Sequence, residues 1–256
     1  MALVLAETSA GGAAFLFLTP LWGEVKRGFF YLTGAVVLVL AASAGGAAVA
    51  GYDPHASSGG RLAVIMAFAL AGATLVWMVV MLIRPRAFVR YLGVATVGVA
   101  VAMLFSFART ADESVALSFF QLVAGAAFTG AVLDGLLLGH WYLTDRRLPR
   151  GPINRAAWVL IVSVAVEAGA VLAGVASPSR HGPASNSPWN PLLTLAGSST
   201  LIAIGMVACT GLIAVMIRLT LRGARPTAVQ SATGFFYLAV MTALTAEIAA
   251  KVRFVP

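Results

Sequence analysis

The chain has 256 residues, of which only 10% are charged and 60% are hydrophobic, against roughly 25% charged in ordinary soluble domains. A surface so apolar could not face water without driving association, so the composition excludes most soluble enzymes and predicts an all-α, polytopic integral membrane bundle. A net charge of +8 would in a soluble protein point to nucleic acid, but its distribution along this chain removes that reading and no nucleic-acid partner is expected.

Met1 to Ala6 carries no basic residue and Glu7 interrupts its apolar stretch, so the N-terminus reads as a first spanning helix and poorly as a cleavable signal. A bilayer core of about 30 Å needs roughly 20 apolar residues per helix. Eight stretches meet that need, at about 3–22, 29–51, 62–83, 87–108, 115–143, 156–176, 192–217 and 228–250. The whole chain, 1–256, reads as one transmembrane domain. Cys209, the single cysteine, lies in an apolar run, which excludes an internal disulfide and a cysteine-ligated metal cluster.

The basic residues sort unevenly between alternate connections. Lys26, Arg27, Arg84, Arg86, Arg90, Arg146, Arg147, Arg150, Arg155, Arg218, Arg222 and Arg225 fall on one side, and Arg61, Arg109, Arg180, Lys251 and Arg253 on the other. Because cytoplasmic loops carry the excess of Lys and Arg, both termini are expected outside the cytoplasm, in a multi-pass protein of a prokaryotic plasma membrane. The Arg-rich collar would hold anionic lipid. Aromatic residues agree: Phe29 to Leu32 and Phe235 to Leu238 repeat Phe-Phe-Tyr-Leu, and with Tyr91 and Trp158 they fall at the expected cytoplasmic boundary, where such rings concentrate. The repeated Gly-Phe-Phe-Tyr-Leu could instead record an internal duplication. Of the outer loops, 177–191 holds four prolines and is long enough to meet a partner.

Ionisable groups inside a membrane cost several kcal/mol and are functional candidates by default. They are Glu7, Asp134, Glu167 and Glu247, joined by His140 and the neutral Gln121. At 1.5 Å per residue, Glu167 lies roughly 18 Å above Arg155. Glu247 and Glu7 lie at a similar outer depth, so three carboxylates from three helices could share one layer and bind a proton or cation. Simpler accounts exist: Lys251 at i+4 would pair with Glu247 and snorkel to water, and Glu7 is near enough the terminus to be hydrated. Glu167 has no charged neighbour within a turn and shares a face with Ser163.

The fifth span ends in Asp134-Gly-Leu-Leu-Leu-Gly-His-Trp-Tyr. Gly135 and Gly139 form a face that admits a close neighbour. His140 points about 120° away from Asp134, so the two are not a ready-made pair. With Trp141 and Tyr142 beside it, His140 could receive a quinone head group, the imidazole exchanging a proton and the rings stacking, with Asp134 as relay. The alternative is a histidine in an aromatic belt, bonded to a backbone carbonyl. Haem is disfavoured, because His55 and His181 fall in outer loops, and neither a metal nor a covalent cofactor is expected.

Phosphate loops, HExxH helices and basic gating series are absent from the sequence, which excludes ATP-driven transport by this chain alone. Three functions stand. The first is a membrane subunit of a redox complex handling quinol and protons at Asp134, His140 and Glu167. In architecture alone, eight spans with both ends outside resemble the cofactor-free anchors of polysulfide and dimethyl sulfoxide reductases, without a shared motif. That likeness implies redox partner subunits carrying the metal centres. The second is a proton- or cation-coupled secondary transporter or exporter using Glu167 and Glu247. The third is a structural or assembly protein whose buried acids are inert.

Overall fold

The computed structural model describes residues 1–19, 21–51, 58–84, 86–111, 114–145, 148–176, 195–223 and 227–251. His55, His181, the proline-rich outer loop, and Arg146, Arg147, Arg180, Arg225 and Arg253 lie outside them. Among the described residues eight helices follow one another: α1 (Ala2–Leu18), α2 (Arg27–Gly51), α3 (Ser58–Ile83), α4 (Arg86–Ala108), α5 (Val115–Thr144), α6 (Gly151–Ala176), α7 (Leu195–Arg222) and α8 (Ala228–Lys251). The protein is a multi-pass helical membrane bundle, and helix bounds fall close to the expected spans.

Seven helices are long and apolar enough to cross a bilayer, and α1, with 17 residues, is the shorter one. The span expected at 3–22 therefore ends early, at Leu18. Thr19 takes an extended conformation, with φ −76° and ψ 151°, while its N–H still reaches the Phe15 carbonyl. Its hydroxyl donates to that same carbonyl. Proline follows in the sequence, and the residue before a proline is pushed out of the helical region.

The packing order repeats. In the first half α1 packs on α2, α2 on α3, α3 on α4, and α4 returns to α1; in the second, α5 packs on α6, α6 on α7, α7 on α8, and α8 returns to α5. The halves meet along α1 and α5. Four helices per half start both halves from the same end of the bundle. In this order α8 corresponds to α4 and α6 to α2, so the Phe-Phe-Tyr-Leu match between α2 and α8 is not the register of the repeat. Those residues divide by role instead: Phe29, Phe30 and Phe236 are buried, while Tyr91, Trp158 and Tyr237 face outward.

Central placement explains the composition of α1. Ala6 to Ala13 are all buried, on every side of the helix, so Glu7, Thr8 and Ser9 never meet lipid. At Gly11 the approach to α5 is backbone on backbone: a Cβ there would stand 1.8 Å from the Ala126 carbonyl oxygen and 2.8 Å from the Cα of Gly130. Outward faces of the peripheral helices carry Leu82, Leu212 and Met241, apolar residues suited to acyl chains.

The basic connections gather at one end. Lys26 pairs with Asp145 at 2.8 Å and Arg155 with Glu24 at 2.6 Å. Arg150 donates to the Gly223 carbonyl at 2.7 Å. Connections α1–α2, α5–α6 and α7–α8 thus share the end that the charge sorting assigns to the cytoplasm.

Candidate functional site

Glu7, on the second turn of α1, and Glu247, on the last full turn of α8, are both completely buried. The Lys251 ammonium lies between them, 2.8 Å from Glu7 Oε1 and 3.3 Å from Glu247 Oε2. The expected Lys251–Glu247 pair does form, but the lysine side chain is only 8% exposed and does not snorkel to water. Glu7, which could have been hydrated, is enclosed as well.

α5 closes the cluster from a third side. Gly125 presents bare backbone to it: a Cβ there would stand 2.8 Å from Glu7 Oε1 and 2.9 Å from Glu247 Oε2. One turn earlier, Gln121 is buried, and neither its amide nitrogen nor its amide oxygen finds a hydrogen-bond partner among the described residues. Glu167 of α6 is buried, interacts electrostatically with both Lys251 and Glu7, and shares its face with Ser163, whose hydroxyl is spent on the Val159 carbonyl. Glu7 and Glu247 thus meet at one depth with Lys251 between them, and α6 brings Glu167 to the same region. Two members of the cluster were not signalled in the sequence: Lys251, which read only as an interfacial partner of its own helix, and Gly125, which carries no side chain to notice.

Chemically, three buried carboxylates stand around one buried ammonium. Buried charge is costly unless balanced, and one ammonium balances one carboxylate. Position matters too, since Glu7 and Gly125 lie on the two helices that join the halves of the repeat.

Asp134 stands apart. Nine residues further along α5 than Gly125, or about 13 Å, it is 93% buried, given a relative exposure of 7%. Its Oδ1 has no hydrogen-bond partner among the described residues. It lines a cavity of about 90 Å³ between the end of α1, α5 and α6, shared with Phe15, Leu138, Arg155 and Val159.

The aromatic group at the end of α5 does not converge. His140 is exposed, on a different face from Asp134. Trp141 turns toward Phe29, with ring centroids 6.3 Å apart. Tyr142 is buried and donates its hydroxyl to the Pro149 carbonyl. Gly135 and Gly139 face α8, against Phe236 and Thr233, which is the close approach their spacing predicts.

No protein-family model matches the chain, and no curated protein or solved structure proved similar to it.

Proposed function

We propose that this chain is a small proton-coupled secondary transporter of a prokaryotic plasma membrane, with Glu7, Glu247, Lys251 and Glu167 as its ion-coupling site. The observation that carries this reading is the ammonium of Lys251 held between two fully buried carboxylates on different helices. Lysine acts there as an internal cation, which a proton arriving on Glu7 or Glu247 can release. The repeated packing order adds support, since transporter folds commonly place coupling ions where repeats meet and move one repeat against the other. The sorting of basic residues supports the orientation and an anionic-lipid contact at the inner collar, where Arg218 also lies 5.4 Å from the ring of Trp158.

A quinone-reactive subunit with redox partners draws less support. It calls on His140, Trp141 and Tyr142 together, and they face three directions, the Tyr142 hydroxyl being already engaged. Inert packing accounts for the Lys251 pairs but would leave Gln121 and Glu7 Oε2 buried without hydrogen-bond partners among the described residues, at a cost of about 1–3 kcal/mol each.

The test is a pH step applied to proteoliposomes adsorbed on a capacitive sensor. A transient charge displacement is expected from the native chain and should be lost in the Glu7→Gln/Glu247→Gln variant. An equal displacement in that variant, or none in the native protein, would overturn the reading.

A further inference from the structure

The Asp134 cavity lies outside the coupling cluster and takes no part in it. Three observations bear on its ligand. First, its deep wall is a buried carboxylate whose Oδ1 has no hydrogen-bond partner among the described residues. Second, Arg155, which also lines the cavity, is already paired with Glu24 at 2.6 Å and leaves the Asp134 carboxyl free to take another partner. Third, Phe15, Leu138 and Val159 line the space between, and such walls reward an apolar group.

Size narrows the class. At about 90 Å³ the cavity is smaller than the ~150 Å³ that holds benzene, hence suited to a molecule of a few heavy atoms. Water alone is poorly served, because a buried water wants two to four polar partners and most of this wall is apolar. The early end of α1 creates the space: Thr19 and Leu21, just past the helix, form one of its sides.

We propose that this cavity binds a small organic monocation of the alkylammonium class, its charged end on Asp134 and its carbon end against Phe15, Leu138 and Val159. The proposal rests on the transporter reading insofar as it names a substrate class, whereas binding itself can be measured without transport.

The experiment is thermal unfolding of the purified full chain in mild detergent with methylammonium, ethylammonium or tetrabutylammonium chloride, against sodium chloride at equal ionic strength. A saturable rise in Tm is expected for the two small ions and not for the bulky one. It should vanish in Asp134→Asn and in Ala156→Leu, which fills the cavity wall but keeps the acid, and should persist in Gly46→Ala, where an added Cβ meets nothing within 4 Å. Absence of a saturable rise with either small ion, or a rise that survives both cavity variants, would overturn the proposal. Loss of the pH-step signal in Glu7→Gln/Glu247→Gln alongside unsaturable ammonium curves would leave the coupling site standing and remove this one. Saturable, Asp134-dependent binding with no pH-step signal would do the reverse.

Discussion

Lys251, the last residue of α8, places its ammonium 2.8 Å from the carboxylate of Glu7 on α1, closer than to Glu247, its neighbour one turn back on its own helix, at 3.3 Å. The bond ties the last helix to the first, across the line where the two halves of the bundle meet. Removing one partner of a buried pair strands the other charge, at about 3–5 kcal/mol. Lys251→Met is therefore expected to lower stability by that order, and Glu7→Gln/Lys251→Met to recover part of it, since one of the stranded charges is then gone. Thermal unfolding of both variants in detergent checks this. A double variant no more stable than Lys251→Met would show that the pair is not coupled.

Gly125 offers a test of the cluster that leaves every charge in place. A methyl group there would press on Glu7 and Glu247 at 2.8 and 2.9 Å, so Gly125→Ala must push both carboxylates away from Lys251. The expected result is loss of the pH-step charge displacement with destabilisation of about 1–3 kcal/mol. Gly46→Ala in α2 is the control, because a Cβ there meets nothing within 4 Å; it should be neutral or stabilising by up to ~1 kcal/mol. Normal charge movement in Gly125→Ala would mean that the carboxylates have room the structure does not show.

At Gly11 the obstacle is main chain rather than a movable side chain. With the Ala126 carbonyl oxygen 1.8 Å from the added methyl, Gly11→Ala requires α1 and α5 to separate. Destabilisation at the upper end of the usual ~1–3 kcal/mol for overpacking, or failure to yield folded protein, is expected. Size-exclusion and thermal unfolding would report it, and a native-like Tm would show that the halves can slide apart at little cost.

The spans were legible because a bilayer imposes one length and one polarity on every crossing. The early end of α1 was legible in principle from Thr19 and the proline after it, but an apolar run on both sides masked the stop. Of the site, Glu7, Glu167, Glu247 and Gln121 stood out as polar residues in apolar helices, and depth along each helix placed the acids in one layer. Lys251 did not stand out, since a lysine at a helix end normally reaches water, and only the central position of α1 turns it inward. Asp134 was visible as a buried acid, whereas its cavity depends on how α1 and α6 approach α5, which no local pattern encodes. The grouping of His140 with Trp141 and Tyr142 followed from adjacency in sequence, yet successive residues on a helix point about 100° apart.

Sidedness can be measured directly. The contacts of Glu24, Lys26 and Arg150 gather three connections at one end, and the positive-inside rule predicts that this end faces the cytoplasm. In a Cys209→Ser background, Gly23→Cys and Gly51→Cys place thiols at opposite ends of the bundle, at positions where a Cβ meets nothing within 4 Å. A membrane-impermeant maleimide should label the first only in inverted vesicles and the second only in right-side-out ones. The opposite pattern would turn the bundle over, placing the Glu7–Lys251 cluster near the cytoplasm and the Asp134 cavity toward the exterior. An ammonium ligand would then enter from outside, and the direction of any coupled transport would reverse with it.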